Sequence, residues 1–272
     1  MKNETACLFN NPTLEGLASF YPNVPFAQPG GYPLALQLLL PRDIRPILHP
    51  LLVFIQGSAW KKPDMFAQIP QLSALAKRGY VVASVTHRSC FEAKAPAFLE
   101  DVQSAIRFLC DHAADYNIDT DHIGVWGTSS GGNTALLVGL SGTVHAVVDC
   151  FGPTDLPRMV REQYAFMPEE LKRMFDALAG GPVHERENAL IQISPYHLLR
   201  ERQKLPPFLL LHGDADPIVP YQHTADFYQK LLSLGHEASL YRIKGAEHEG
   251  SFWSTECLQI IENFFDAKLL IN

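Results

Sequence analysis

The chain has 272 residues, of which 47% are hydrophobic, and its formal net charge is -7. This length supports one sizeable hydrophobic core, and we expect a single domain over residues 1–272. No long basic run is present, which argues against nucleic acid and anionic membranes as partners. No apolar run is long enough to cross a bilayer, and the N-terminal residues lack the apolar core of a signal peptide.

The five cysteines are scattered and include no C-x-x-C pair: Cys7, Cys90, Cys110, Cys150 and Cys257. Their odd number and wide spacing favour reduced thiols, which predicts a cytoplasmic protein. Neither the cysteines nor the histidines have metal-ligand spacing, so we expect no metal and no cofactor. The sequence leaves the oligomeric state open, with a homodimer as one option.

Residues 1–33 are rich in Pro, Asn and Gly, and we expect them to wrap the domain with little regular structure. A turn is expected at 43–50. From residue 34 onward, apolar runs of strand length alternate with amphipathic runs. The predicted strands cover 34–40, 51–55, 80–85, 122–126, 144–148, 208–211 and 238–243. The predicted helices cover 65–78, 96–112, 133–140, 221–234 and 252–269.

This alternation predicts an α/β fold in which helices cover both faces of a mostly parallel sheet. Residues 157–193 interrupt the alternation with aromatic residues and methionines among many charges. The interruption predicts an inserted lid of one or two amphipathic helices.

The run from Ile123 to Gly132 passes from an apolar strand through a G-x-S-x-G pattern into a helix-like segment. This order predicts a nucleophile elbow with Ser129 at its tip. Gly127 and Gly131 suit it because a Cβ at either position would collide across the turn. The pattern alone would also fit a flexible turn.

Three further loops follow predicted strands: Q-G-S-A-W (56–60), H-G-D-A-D-P (212–217) and G-A-E-H-E-G (245–250). In parallel sheets, sites form beyond the carboxyl ends of the strands, so these loops should meet the elbow. Among the acidic residues outside them, we expect Asp101 to form an ion pair or cap, and Asp155 to form a turn or cap. His212, His223 and His236 are expected to be structural or exposed.

Together with P-A-F-L-E-D-V-Q-S-A-I-R-F-L (96–109) and F-G-P-T-D-L (151–156), these segments resemble the α/β-hydrolases. More narrowly, the chain is similar to the esterase branch related to hormone-sensitive lipase and to bacterial feruloyl and acetyl-xylan esterase-like proteins. The resemblance implies Ser129 as nucleophile, Asp216 as acid and His248 as base. Asp214 is the weaker alternative for the acid.

The resemblance also implies an oxyanion hole made by the backbone N–H groups of Ser58, Ala59 and Ser130. The chain departs from the family's His and Gly at Gln56, Ser58 and Ala59, so the shape of this loop is open. We assign Trp60 to the substrate pocket as a wall, although it could equally pack into the core.

The resemblance implies a serine hydrolase that cleaves small, short-chain carboxylic esters through an acyl-enzyme, and the cysteines place it in the cytoplasm. Acetylated carbohydrate fragments are the favoured substrate, by analogy. Two alternatives stay open: an exopeptidase or amidase of the same fold, and a non-catalytic ligand-binding protein.

Overall fold

The computed structural model describes residues 14, 16–42, 47–201 and 203–270. Within them, eight strands form one sheet: β1 (Ala18–Ala27), β2 (Leu34–Pro41), β3 (His49–Ile55), β4 (Val81–Val85), β5 (Ile118–Thr128), β6 (Ala146–Cys150), β7 (Phe208–Gly213) and β8 (Ala238–Ile243). Their order is β1-β2-β4-β3-β5-β6-β7-β8. The strands from β4 to β8 run parallel, while β2 is antiparallel to both of its neighbours.

Ten α-helices accompany the sheet within the described residues: α1 (Ile69–Lys77), α2 (Ala97–Asp111), α3 (Ala113–Tyr116), α4 (Ser130–Leu140), α5 (Leu156–Gln163), α6 (Glu169–Ala179), α7 (Glu187–Ile191), α8 (Pro195–Leu198), α9 (Tyr221–Ser233) and α10 (Thr255–Leu269). No helix in this part of the chain is long and apolar enough to cross a membrane.

The core lies on both faces of the sheet. Every residue of β3 is buried, and alternate side chains enter opposite layers. Leu51 and Val53 pack on the face covered by α2, α4 and α9, whereas Leu52 and Phe54 pack on the face covered by α1 and α10. A strand buried on both faces needs a continuous apolar run, which is why this segment could be predicted. The predicted layered architecture is therefore confirmed.

The N-terminal prediction is wrong for residues 18–27, which form β1. This strand contains Pro22 and Pro25, and its pairing with β2 shifts register around both of them. Proline is tolerated there because β1 is an edge strand, where some backbone positions need no ladder hydrogen bond. Residues 1–13 and 15, which include Cys7, lie outside the described part, as do residues 43–46 of the predicted turn.

The predicted lid, residues 157–193, contains three α-helices, α5 to α7, rather than one or two, and α8 follows it before β7. Pro168 precedes α6, Gly180 ends it in a left-handed conformation, and Pro195 opens α8. These residues divide the segment because proline and left-handed glycine interrupt helical hydrogen bonding. The apolar faces of the helices form a third cluster, which packs over α2 and the loop after β3.

Candidate active site

Ser129 lies at the junction of β5 and α4, in a strained backbone conformation with φ 51° and ψ -123°. A Cβ on Gly127 would come within 2.1 Å of the Gly131 carbonyl oxygen. A Cβ on Gly131 would come within 2.0 Å of the Ile55 carbonyl oxygen. Both glycines are therefore required by close backbone approach, as the G-x-S-x-G pattern predicted.

The loops after β7 and β8 bring an acid and a histidine to this serine. Ser129 Oγ lies 2.9 Å from His248 Nε2, and His248 Nδ1 lies 2.7 Å from Asp216 Oδ2. Because an ionised carboxylate can only accept, Nδ1 carries the proton and Nε2 is left to accept from the serine hydroxyl. The three side chains thus form one continuous hydrogen-bonded chain.

The Asp216 carboxylate is held from several sides. Oδ1 accepts the backbone N–H groups of Ile218 and Val219 at 2.8 and 2.9 Å. Burial by itself would raise the pKa of Asp216, but hydrogen bonds from His212 and His248 outweigh it and hold the pKa well below its usual range. Asp216 therefore stays ionised beside His248.

His212 has a part in this site that the sequence reasoning missed. Its Nε2 lies 3.2 Å from Asp216 Oδ2 and 2.9 Å from the Val219 carbonyl oxygen, so this nitrogen carries the proton. The Thr224 hydroxyl then donates to Nδ1 at 2.6 Å. His212 is fully buried. Its position four residues before Asp216 in the H-G-D-A-D segment is the sequence feature that could have indicated its contact with this carboxylate.

Asp214, the alternative acid, and the two aspartates expected to be structural have other partners. Asp214 accepts from Arg242 Nε at 2.9 Å and from the Gly245 N–H at 2.6 Å. Asp155 caps α5 by accepting the Arg158 N–H at 3.0 Å. Asp101 pairs with the Arg88 guanidinium, with one contact of 2.8 Å. The expected structural roles of Asp101 and Asp155 are confirmed.

The loop after β3 contains a tight turn in which the Lys61 N–H donates to the Ser58 carbonyl oxygen at 3.0 Å. Its two central residues, Ala59 and Trp60, have φ of 50° and 53°. Positive φ at both positions is the pattern of a type I′ turn, which usually takes Asn or Gly. The Gln56 side chain braces the loop by accepting the Asp64 N–H at 2.6 Å.

The Ser58 N–H is engaged elsewhere, which corrects the expected set of oxyanion donors. It donates to Ser130 Oγ at 2.9 Å, while the Gly57 N–H donates to Thr128 Oγ1 at 2.8 Å. These two bonds tie the loop to the elbow. Within the described residues, the N–H groups of Ala59 and Ser130 have no protein acceptor.

The prediction that Trp60 forms a wall of the substrate pocket is wrong. Its side chain is 3% exposed and packs against Phe98 and Phe175, with ring centroids 6.2 and 6.4 Å apart. The indole belongs to the apolar cluster formed with the inserted helices, and Trp60 is not among the residues that line the cleft. Trp60 therefore anchors the loop from the core, which was the other option left by the sequence.

A cleft of about 700 Å³ opens above Ser129 and His248. Its walls come from the loop after β3, from the insertion and from the loops after β7 and β8. The side chains that shape it are Gln163, Phe166, Met167, Leu171, Ile218 and Glu249. No group of three His, Cys, Asp or Glu side chains in the described ranges is arranged to hold a metal ion.

A second carboxyl lies beneath the elbow, on β6, where Asp149 pairs in the sheet with Gly127. Its Oδ1 accepts the Gly152 N–H at 3.0 Å, and its Oδ2 is buried with no partner among the residues described. Burial raises the pKa of Asp149 to about 8, against a smaller lowering by the Gly152 N–H. Asp149 is therefore mainly protonated at pH 7 and adds little charge beneath Ser129.

A family model described as BD-FAE matches residues 36–231. Esterase LipQ of Mycobacterium tuberculosis is 25% identical over 269 residues, covering 89% of this chain and 61% of LipQ. The chain therefore spans less than two thirds of that relative. Among solved structures, a truncated carbohydrate esterase from gut microbiota is 26% identical with a TM-score of 0.79, covering 95% of this chain and 99% of that one. A bifunctional GH43-CE protein of Bacteroides eggerthii is 29% identical with a TM-score of 0.76, covering 86% and 33%.

Proposed function

The chain belongs to the BD-FAE family and has the α/β-hydrolase fold, and from this premise we propose that it is a serine esterase acting on short-chain carboxylic esters. The observation that carries the proposal is the hydrogen-bonded chain from Ser129 Oγ through His248 to Asp216 at the base of the cleft. Acetylated carbohydrate fragments are the substrate class, supported by the likeness to a carbohydrate esterase.

In the proposed reaction, Ser129 Oγ attacks the ester carbonyl carbon while His248 Nε2 takes the hydroxyl proton. The C–O bond to the alcohol then breaks, and His248 returns the proton to the leaving oxygen. Water hydrolyses the acyl-enzyme by the same route. Asp216 holds the imidazole in the required tautomer and stabilises its cationic form, which the depressed pKa of this carboxyl allows.

The oxyanion of each tetrahedral intermediate is stabilised by the backbone N–H groups of Ala59 and Ser130. This assignment rests on the two N–H groups having no acceptor within the described residues, whereas the Ser58 N–H is bonded to Ser130 Oγ. Ser58 acts as a support of the hole rather than as a donor. Losing one oxyanion donor typically costs about 10²- to 10³-fold in rate.

Residues 157–193 act as a lid within a single domain over 1–272, since side chains of the insertion wall the cleft.

A cytoplasmic location is supported by the four cysteines in the described part of the chain, all of which are free thiols: Cys90, Cys110, Cys150 and Cys257.

The test is Ser129→Ala, assayed for hydrolysis of p-nitrophenyl acetate and for labelling by a fluorophosphonate. Both should be lost while the far-ultraviolet circular dichroism spectrum is retained, because only a hydroxyl is removed. Labelling that persists in the variant would place the nucleophile elsewhere and overturn the proposal.

A further inference from the structure

A second pocket, of about 190 Å³, adjoins the active-site cleft, and Glu249 lines both cavities. We call it the side pocket. Its walls come from the start of α1, from β5 and from the segment that follows His248. The side chains that shape it are Gln68, Gln71, Trp126, Glu249, Trp253 and Leu258. None of them takes part in the proposed hydrolysis, so the side pocket can serve a different ligand.

Glu249 presents a carboxylate to the side pocket from a strained backbone. Its φ of 62° and ψ of -154° fall in a region that essentially only glycine adopts, and such strain is found at sites that bind or react. Trp253 Nε1 donates to Glu249 Oε2 at 2.7 Å, which fixes the carboxylate beside the Trp253 ring. Oε1 has no partner among the residues described. One oxygen of an ordered carboxylate is therefore open to a ligand.

Gln68 offers a second unused acceptor to the same pocket. It directly precedes α1 but makes no capping hydrogen bond to that helix. Its Oε1 is buried and has no protein partner in the described part of the chain. A buried acceptor without a hydrogen bond is unfavourable, so a ligand that donates to it is stabilised. No Lys, Arg or His among the described residues lines the pocket, which leaves the charge of Glu249 unopposed there.

The remaining walls are mainly apolar and aromatic. The rings of Trp126 and Trp253 have centroids 6.1 Å apart at an angle of 68°, and Trp126 is in turn held by Phe54 at 4.8 Å. Leu258 of α10 adds an aliphatic side chain. Tryptophan is the aromatic side chain that attracts cations most strongly. The side pocket thus combines a negative charge, a neutral acceptor and indole rings.

We propose that the side pocket binds a small organic ammonium ion. Its N–H groups donate to Glu249 Oε1 and Gln68 Oε1, and its hydrocarbon part packs against Trp253 and Leu258. An alkylammonium group has three donors and no acceptor, which complements two free acceptor oxygens. An alcohol has one hydroxyl donor and no charge to balance Glu249. Binding in the side pocket requires no chemistry at Ser129.

The experiment titrates the wild-type protein at neutral pH with n-butylammonium chloride and, separately, with 1-butanol, which has the same chain without the charge. Two of the three tryptophans line the side pocket, so intrinsic tryptophan fluorescence reports binding. The ammonium ion should give a saturable change and bind at least ~10-fold more tightly than 1-butanol, because hydrogen bonds to charged groups are the stronger ones.

Two variants test the contacts, and a third is the matched control. Glu249→Gln should weaken ammonium binding about 10-fold, while its amide oxygen can still accept from Trp253 Nε1. Gln68→Ala should weaken it about 3- to 10-fold. Glu247→Gln removes the same charge on the other side of His248, but Glu247 is exposed and lines neither cavity. Its affinity for the ammonium ion should equal that of the wild type.

Three results would overturn the inference. The first is the absence of a saturable fluorescence change with the ammonium ion. The second is equal binding of the two probes, or an equal loss in Glu247→Gln and Glu249→Gln, since either would reflect attraction that is not specific to the pocket. The third is weaker binding in Phe166→Ala together with unchanged binding in Gln68→Ala, because Phe166 lines only the cleft.

The proposed esterase function is tested by a separate measurement. Ser129 lines the cleft and not the side pocket, so Ser129→Ala should bind the ammonium ion with wild-type affinity while it loses hydrolysis. A loss of ammonium binding in this variant would place the ion in the cleft and overturn the inference. Hydrolysis that persists in Ser129→Ala would overturn the esterase mechanism alone.

Discussion

Replacing Asp149 by asparagine should remove a pH-dependent cost to folding. The carboxyl is fully buried, the Gly152 N–H is its only donor among the residues described, and its pKa is raised to about 8. In the unfolded chain an aspartate titrates near pH ~3.9. Between these values the folded state binds the extra proton, so stability falls as pH rises from about 4 to 8.

The pH dependence of the unfolding free energy is set by the one extra proton that the folded state binds at Asp149. The slope is at most ~1.4 kcal/mol per pH unit, which amounts to about 2 to 3 kcal/mol between pH ~5 and pH ~7. Asparagine keeps an oxygen that can accept the Gly152 N–H but has no charge at either pH. Relative to wild type, the variant should therefore gain about 2 to 3 kcal/mol of unfolding free energy on going from pH ~5 to pH ~7.

Urea unfolding of both proteins at the two pH values measures this double difference, in which the titration of other groups cancels. Asp101→Asn is the matched control, because Asp101 is also buried but is clasped by Arg88. It should be destabilising at both pH values. A wild-type-to-variant difference for Asp149→Asn that does not change with pH would refute the reasoning.

Two further predictions concern residues around the cleft. Asp216→Asn should lower kcat by about 10⁴-fold, because an amide at this position favours the wrong tautomer of His248. Asp214→Asn should lower kcat far less. Steady-state kinetics measure both variants, and a larger loss in Asp214→Asn would contradict the assignment of the acid. Ala59→Gly should raise the unfolding free energy by about 0.5 to 1 kcal/mol, because glycine has no Cβ to be strained at the positive φ of this position. Urea unfolding measures the change, and a loss of stability would argue against strain at Ala59.

Sequence patterns predicted most of the strands and helices because these elements depend on residues close together in the chain. The continuous apolar run of β3 marks a strand buried on both faces, and the spacing of Gly127 and Gly131 around Ser129 reflects contacts within one turn. Patterns failed at β1, where Pro22 and Pro25 suggested irregular structure. Only its place at the edge of the sheet makes those prolines acceptable.

At the site, local pattern determined less. The H-G-D-A-D segment offers two aspartates, and resemblance to a family, not spacing, favoured Asp216 over Asp214. The roles of Ser58 and Trp60 were misjudged because each depends on a partner far away in the chain. The Ser58 N–H finds Ser130 Oγ across 72 positions, and the Trp60 indole packs on Phe175 of the insertion.

Apolar periodicity and the sterics of glycine act within a few residues, so local patterns predicted seven of the eight strands and the turn that presents Ser129. Contacts that form only in the folded chain set which N–H groups of the loop after β3 remain available and which side chains face the cleft. Packing between distant segments selects one hydrogen-bond partner and one direction for each side chain, and neither choice is encoded in a local window.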